Sequence, residues 1–286
     1  MLREIREIGF EYAELSHGIR ISLLPGIFEA VESGEMKIST LHNFCPLPMG
    51  INHAAPNIFK FTSDDRRERE NAWRHTLKTL ETAERVGARL VVLHMGAIEM
   101  RDYTDKLVEM IGAGHKDSPK YEKICMEVIE KRESKKERYV DLANEMLKRV
   151  SEDAARRGIM LGIENREALE EIPLETDFMF FFRDFPGGTV RYWHDTGHAQ
   201  IKHHLGFIDH ALHLESMSEH LAGFHIHDVQ FPGRDHCAPG TGTIDFAALK
   251  AMVRPDHIKV FEMSPGLSPE EVKAGVAHLK SIWGEE

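Results

Sequence analysis

Residues 158–164 read GIMLGIE and contain the pattern that decides the fold of this chain. A glycine suited to ending a helix is followed by a short apolar run, and a single acid closes the run. Both faces of such a segment are apolar, which indicates a strand covered on both sides. The run LVVLH at 90–94 repeats the pattern. Strands of this kind, alternating with helices, predict a parallel sheet.

Seven such strands alternate with about eight amphipathic helices along the chain. Apolar residues at 140, 143, 147, 150 and 154, for example, follow the helical period. The helices before Gly87 and Gly158 are expected to end at these glycines, and Ser268 to Glu271 predict a capping box. The predicted strands are Tyr12–Ser16, Lys37–His42, Arg89–His94, Ile159–Glu164, Val190–Asp195, Ala222–Asp228 and Ile258–Met263.

This order predicts an α/β fold, a TIM-type (β/α)8 barrel forming a single domain over residues 1–286. The strand expected before the first helix is missing from the sequence, so either the barrel is open at one seam or the sequence is truncated at its start. A doubly wound sheet is the alternative, but no glycine-rich phosphate loop follows the early strands. A Lys- and Glu-rich insertion at about 101–138 is expected to be either a lid or interaction arm, or a solvated helical excursion.

Composition narrows the class of protein. The chain has 286 residues, 42% of them hydrophobic, and a formal net charge of −11. That acidity disfavours nucleic acid as a partner. No stretch approaches the 18 apolar residues of a membrane span. The three cysteines form no CxxC pair, which indicates a reduced, cytoplasmic protein. A homo-oligomer is compatible with all of this.

The predicted strands share one feature: a metal-competent side chain at or near the end of each. A charged group in a buried strand is costly unless it is paired or coordinates an ion, and strand C-termini converge on the mouth of this kind of barrel. Any one histidine is more often an ordinary hydrogen-bonded residue, but the convergence of the set indicates a site. The set comprises Glu14, His42, His94, Glu164, Asp195, His225 and Glu262.

Other polar residues carry weaker signals. His198 follows Asp195 in WHDTGH, and His225 and His227 point the same way in FHIHD, although only one of them need bind metal. His236 precedes the turn PGTGTID. Glu14 is expected to pair with an arginine. Five further histidines lie in helical or loop contexts and are expected to be solvated: His17, His203, His204, His210 and His213.

These residues resemble the xylose isomerase-like barrels, a superfamily of sugar isomerases and epimerases related to endonuclease IV. The resemblance runs from the first helix to the last and rests on GIENRE, HDTGH, HIHD, the PGTGTID turn with His236, and FEMSP. It implies that one divalent cation is held by Glu164, Asp195, His225 and Glu262. It further implies that the two glutamates move protons and that His198 contacts substrate.

The endonuclease branch of that superfamily implies a different assignment. There, histidines matching His42, His94, His198 and His236 help to bind three zinc ions. That branch also has an aspartate two residues before the histidine of the glycine turn, whereas this chain has Arg234 there and Asp235 displaced by one. Because of this departure, the resemblance supports the third zinc site less well than the other two.

We therefore predict a divalent-metal-dependent sugar or sugar phosphate isomerase or epimerase that works through an enediolate, with Glu164 and Glu262 as acid and base. An oxygen-rich ligand set favours Mn²⁺, with Mg²⁺, Co²⁺ or Zn²⁺ as alternatives. Arg166 is expected either to hold a substrate hydroxyl or phosphate, or to be a surface arginine. The alternative function is a multi-metal phosphodiesterase, in which the additional histidines bind further ions. A third reading, a non-catalytic barrel, is disfavoured by the intact ligand set.

Overall fold

A computed structural model describes residues 1–55, 57–185 and 187–284. Its main elements alternate between strand and helix, as the sequence predicts. In chain order they are α1 (Leu2–Ile8), β1 (Tyr12–Leu15), α2 (Leu24–Glu32), β2 (Lys37–His42), α3 (Arg66–Val86), β3 (Leu90–Leu93), β4 (Gly96–Ala97), α4 (Thr104–Gly112), α5 (Pro119–Glu133), α6 (Lys136–Arg156), β5 (Met160–Glu164), β6 (Glu171–Ile172), α7 (Phe178–Arg183), β7 (Val190–Asp195), α8 (Thr196–Leu205), α9 (His210–Met217), β8 (Leu221–Ile226), β9 (Asp228–Gln230), β10 (Arg234–Cys237), α10 (Phe246–Leu249), β11 (Ile258–Phe261) and α11 (Pro269–Trp283).

The principal sheet has seven strands in the order β1-β2-β3-β5-β7-β8-β11. The chain divides into two compact units, and the division falls within β7. In the first unit (1–97, 138–164 and 179–191), β1, β2, β3 and β5 pair in parallel. The apolar runs fill its core: all four residues of β3 and the last four of β5 are buried.

The second unit comprises residues 98–137, 165–178 and 192–286. Here the end of β7 pairs in parallel with β8, and β8 pairs in parallel with β11. All six residues of β8 are buried. Strands β9 and β10 form a separate antiparallel pair. Helix α8 starts directly at the end of β7, because the side chain of Asp195 caps it by accepting from the His198 N–H.

The seven predicted strands are confirmed, most of them within a residue or two of their expected bounds. Gly87 ends α3 in the left-handed conformation, and Ser268 and Glu271 form the expected capping box of α11. The short strands β4, β6, β9 and β10 were not predicted. Two to four residues are too few to give a recognisable period.

The insertion at 101–138 forms α4 and α5 and is anchored in the second unit. Arg132 of α5 is only 2% exposed. It donates to the carbonyls of Leu169 and Glu171 and to the carboxylate of Asp177, at 2.8, 2.9 and 2.7 Å. A buried guanidinium must be paired in this way. The insertion is therefore tied to segment 165–178, which follows β5.

Among the described residues, none of the helices combines the length and the apolar character that crossing a bilayer would require.

Candidate metal centre

The predicted ligands lie where the strands end. His42, Glu164 and Asp195 are the last residues of β2, β5 and β7, and His94 and Glu262 come directly after β3 and β11. His225 is the penultimate residue of β8. Ends of parallel strands are the usual position of active sites in α/β barrels, because side chains there leave the sheet while the backbone stays fixed.

One group of ligands in the second unit consists of Asp195, His225 and Glu262. Their ligand atoms lie within 4.8 Å of one another. The closest contact joins His225 Nδ1 to a carboxylate oxygen of Glu262 at 3.0 Å. The side chains of Asp195 and His225 are fully buried, whereas that of Glu262 is 33% exposed. Two carboxylates and an imidazole held this close suit a divalent cation, which would offset the cost of burying their charge.

Asp195 is held from several directions. Its N–H donates to Asn165 Oδ1 at 2.7 Å, and the amide of Asn165 donates back to its carbonyl at 3.0 Å. His227 Nε2 lies 3.1 Å from the Asp195 carboxylate. Because the His236 N–H donates to His227 Nδ1 at 2.9 Å, His227 carries its proton on Nε2 and donates it to Asp195. The carboxylate is thereby oriented before any ligand binds.

A second group, in the first unit, consists of His42, His94 and Glu164. Their ligand atoms also lie within 4.8 Å of one another, and all three residues are buried. His94 Nε2 lies 2.6 Å from Glu164 Oε2. His42 Nδ1 donates to the Asn43 carbonyl at 2.9 Å. This hydrogen bond leaves His42 Nε2 as the lone-pair nitrogen, as a metal ligand requires.

A third group, in the second unit, consists of Glu167, His198 and Asp235. His198 Nδ1 donates to the Asn165 carbonyl at 3.0 Å, so its Nε2 carries the lone pair. Burial raises the pKa of Glu167, and the neighbouring Asp235 adds to the rise. His236 is not in this group. Its Nδ1 pairs with Asp235 at 3.0 Å, and its ring stacks on that of His227. Burial opposes charging of His236, but the Asp235 carboxylate raises its pKa to about 9.

Arg166 is buried, at 7% exposure, so its reading as a surface arginine is wrong. Its Nε donates to Glu171 at 3.1 Å. The ring of His198 lies beside the guanidinium, with Arg166 Nη1 at 3.4 Å from His198 Nδ1. Because that nitrogen already carries a proton for the Asn165 carbonyl, this is a packing contact rather than a hydrogen bond.

Sequence reasoning missed Glu167, and it considered His227 and Asp235 without giving either a definite role in the site. Glu167 follows Glu164 by three residues in ENRE, and Asp235 precedes His236. Both were visible as acids near predicted ligands, but neither ends a strand. Glu14 accepts from the Thr40 hydroxyl at 2.7 Å.

With this geometry in place, comparison with known proteins identifies the class. A family model described as "Xylose isomerase-like TIM barrel" matches residues 2–282. The chain belongs to this family, and its fold is an α/β TIM-type barrel. None of the curated protein sequences matches this chain significantly.

Solved structures agree on the fold. A D-tagatose 3-epimerase-like protein superposes with a TM-score of 0.71 at 16% identity, covering 99% of this chain and 93% of its own. The 3-keto-D-glucoside 4-epimerase of E. coli gives 0.68 at 17%, covering 98% and 92%. The IOLI protein, solved with a binding zinc atom, gives 0.62 at 17%, also covering 98% and 92%. The fold of this chain is thus similar to that of structures described as sugar epimerases and to that of a protein solved with a zinc atom.

Proposed function

We propose that this protein is a divalent-metal-dependent sugar or sugar phosphate isomerase or epimerase. In this proposal Glu164, Asp195, His225 and Glu262 hold one cation, and the two glutamates transfer protons. The observation that carries it is the group of Asp195, His225 and Glu262 in the second unit, where two carboxylates and an imidazole lie within 4.8 Å of one another. The carbohydrate-acting structural neighbours support a sugar substrate.

The donor set fits a hard divalent cation. Carboxylate oxygens dominate it, and no cysteine belongs to any of the three ligand groups found among the described residues. Such a set favours Mn²⁺, with Mg²⁺, Co²⁺ or Zn²⁺ as alternatives. When bound, the cation would act as a Lewis acid that stabilises negative charge on oxygens next to the reacting carbon.

Glu164 is assigned to the same site from its position in the chain. It is the last residue of the β5 segment of the first unit, and it is joined by a peptide bond to Asn165 of the second. Asn165 is the residue whose side chain makes two hydrogen bonds with the backbone of Asp195. The resemblance of GIENRE to the family pattern is the ground on which Glu164 is included in the proposed ligand set.

The proton transfers fall to the glutamates. Epimerisation next to a carbonyl requires one group to remove a proton and another to return one, through an enediolate. Glu262 is one-third exposed and only 3.0 Å from His225, so its carboxylate is both oriented and accessible. Glu164 is fully buried and lies against His94. His198, whose lone pair lies on Nε2, is placed to accept from a substrate hydroxyl, and Arg166 supports it from beside.

Solvent deuterium exchange into a ketose tests the proton transfers. Glu262→Gln should abolish metal-dependent uptake while the circular dichroism spectrum stays unchanged. The control is Glu130→Gln, an exposed glutamate on α5, which should retain full uptake. Full exchange in Glu262→Gln would refute the role of Glu262. Dialysis against a chelator should also abolish uptake, and added Mn²⁺ should restore it.

A second candidate function, a multi-metal phosphodiesterase, is favoured by two observations. One is the group of His42, His94 and Glu164. The other is the group of Glu167, His198 and Asp235. In each group the ligand atoms lie close enough together to share a metal ion. Several bound ions would activate water and clamp a phosphate. Metal analysis separates the two functions: about one tightly held ion supports the isomerase, whereas two or three ions together with cleavage of a model phosphodiester support the hydrolase. A cytoplasmic location and a possible homo-oligomer remain predictions.

A further inference from the structure

A second set of histidines in the second unit lies apart from the carboxylates. His204, His210 and His213, which the sequence led us to expect in solvent, are only 8%, 5% and 7% exposed. The expectation of solvated side chains is therefore wrong for these three. Their polar partners lie on β7, on α8 and in the segment between β9 and α10. His194 of β7 is fully buried beside them.

These rings are joined by hydrogen bonds into one chain. His213 Nε2 lies 2.8 Å from the Tyr192 hydroxyl, which lies 2.8 Å from His194 Nδ1. His194 Nε2 lies 3.0 Å from His210 Nε2, and His210 Nδ1 lies 2.9 Å from Gln200 Oε1.

The chain continues beyond Gln200 to the segment between β9 and α10. Gln200 Nε2 lies 3.1 Å from His204 Nε2, and the Thr243 hydroxyl lies 2.8 Å from the same nitrogen. His204 Nδ1 lies 3.0 Å from the Pro232 carbonyl.

The far end of the chain fixes the direction of every bond in it. The Pro232 carbonyl can only accept, so a neutral His204 carries its proton on Nδ1 and accepts at Nε2. The side-chain nitrogen of Gln200 therefore faces His204, and its oxygen faces His210. The orientation of the Gln200 amide is thus assigned from its hydrogen-bond partners, because its nitrogen and oxygen are nearly identical in shape.

The same reasoning carries on through the remaining rings. His210 donates from Nδ1 to Gln200, so its Nε2 accepts from His194 Nε2–H. His194 Nδ1 then accepts from the Tyr192 hydroxyl, whose oxygen accepts from His213 Nε2–H. All bonds run from His213 towards Pro232, and each ring carries one proton. In this arrangement a second proton on His204 or His210 would sit on Nε2 and face an N–H donor. On His213 it would sit on Nδ1, where it adds a charge among buried groups without opposing a bond of the chain.

Burial acts in the same direction as this geometry. It lowers the pKa of His210 to about 3 and that of His213 to about 4, from an ordinary value of 6.5. It also lowers the pKa of His204.

Charged and titratable groups face these rings from several elements. His213 faces the buried pair formed by Lys202 of α8 and Glu175 of segment 165–178. His210 faces His203 of α8, Asp209 at its own helix cap, and Asp195 at the end of β7. His204 faces His203, Lys116 and Asp228.

We infer that this chain is an acid-sensitive latch that ties α9 and the segment around Pro232 and Thr243 to β7 and α8. It holds while His204, His210 and His213 each carry one proton. It weakens when His204 or His210 gains a proton that opposes the next donor, or when His213 becomes a buried charge. The inference concerns protons on these three rings and does not depend on the cation site or on the proposed reaction.

The proton positions can be tested by nuclear magnetic resonance of the ¹⁵N-histidine-labelled full chain. We expect His204 and His210 to be Nδ1–H tautomers and His213 to be an Nε2–H tautomer at pH 7, with His210 and His213 still neutral at pH 5.5. The opposite tautomer at any of them, or titration of any of them between pH 6 and 7 with the fold intact, would overturn the inference.

Proton uptake on unfolding provides an independent test. An unfolded histidine is protonated below about pH 6.5, whereas folded His213 resists protonation until about pH 4. Stability is therefore complete above pH 6.5 and is lost as the pH falls towards 4. In His213→Gln, the amide nitrogen can still donate to Tyr192 but cannot take up a proton. The slope of the unfolding free energy against pH near 5.5 gives the number of protons taken up on unfolding. In His213→Gln this number should be smaller than in the wild type by about one.

The control is His115→Gln, which removes an exposed histidine between α4 and α5 and should leave uptake unchanged. Unchanged uptake in both variants would overturn the inference.

Hydrogen exchange then tests whether α9 is released at lower pH. Between pH 7 and pH 5, after correction for intrinsic rates, amides of α9 should lose protection in the wild type and keep more of it in His213→Gln. Equal protection at both pH values in the wild type would show that no latch opens.

Discussion

The cation group and the histidine chain begin at consecutive residues of the same strand, yet they rest on opposite chemistry. Asp195 and His194 are adjacent in β7 and are both fully buried. Alternation along a strand sends their side chains to opposite sides of the sheet. Asp195 meets His225 and Glu262, a group rich in charge, whereas His194 meets Tyr192 and His210, which are neutral.

The comparison shows that the partner, and not the residue type, decides what a buried histidine does. His225 lies against a carboxylate, Glu262, and is suited to share a cation with it. His210 lies against an amide, Gln200, whose oxygen accepts the proton of its Nδ1. Burial of a charge must be compensated, so the first group calls for an ion and the second has to stay neutral.

The largest effect is expected from removing the charge of Asp195. Asp195→Asn keeps a side chain that can cap α8, since Asn and Asp are equivalent N-caps. The affinity for Mn²⁺, measured by calorimetry, should fall by more than about 100-fold, because even the loss of an outer-shell partner costs 10–100-fold. The thermal midpoint of the metal-free protein should fall modestly, because the amide nitrogen then faces the His227 Nε2–H that donated to the carboxylate. Retained affinity would remove Asp195 from the ligand set.

A smaller loss is expected when a charge is left unpaired beside the histidine chain. Lys202→Met leaves the Glu175 carboxylate buried and unpaired next to His213. The free energy of unfolding in urea should fall by about 3–5 kcal/mol. The double variant Lys202→Met with Glu175→Leu should recover most of it. If the single variant is as stable as the wild type, the region tolerates charge and the contrast with the cation group fails.

Breaking the histidine chain itself should cost less than leaving a buried charge unpaired. Tyr192→Phe removes the hydroxyl that joins His194 and His213 and leaves both ring nitrogens without that bond. The expected loss is about 1–3 kcal/mol in the free energy of unfolding, with Mn²⁺ affinity unchanged. The matched control is Tyr12→Phe on β1, an exposed tyrosine, which should be neutral. Loss of Mn²⁺ affinity in Tyr192→Phe would show that the two regions are coupled.

The smallest effect lies outside both regions. Ser268→Ala removes the side-chain cap of α11 and should cost about 1 kcal/mol of stability. Cation affinity and the pH dependence of unfolding should both stay unchanged. Ser281→Ala, on the exposed face of the same helix, should be close to neutral. A change in cation affinity in Ser268→Ala would show that α11 influences the site.

Much of the fold was predictable because its signals are local. The apolar runs of β3 and β5 identify strands covered on both faces, and Gly87 and Ser268 identify helix ends through backbone and capping chemistry. The β9 and β10 pair was not predictable, because hydrogen bonding between segments rather than a sequence period defines it. The insertion also escaped prediction in one respect: only the structure shows that Arg132 anchors it.

The candidate site divides in the same way. As candidate ligands, four residues were recognisable from the sequence: Glu164, Asp195, His225 and Glu262. Burying an acid or an imidazole at the end of an apolar strand is costly unless it is paired or coordinates an ion. His227, Glu167 and Asp235 were not recognisable in this way, since each joins the site through neighbours distant in sequence. His204, His210 and His213 were wrongly expected in solvent. The pattern of an amphipathic helix does not show that a buried hydroxyl or amide from elsewhere in the fold will hydrogen-bond to its histidines.

The amino-acid sequence by itself determined the alternation of strands and helices, the positions of helix ends and the residues able to bind a cation. These properties depend on side-chain type and on spacing within a few residues. The tertiary structure alone decided which histidines meet carboxylates and which meet amides, hydroxyls and carbonyls. A proton or a cation responds to charge and hydrogen bonding within a few ångströms, and those neighbours come together only when distant segments pack.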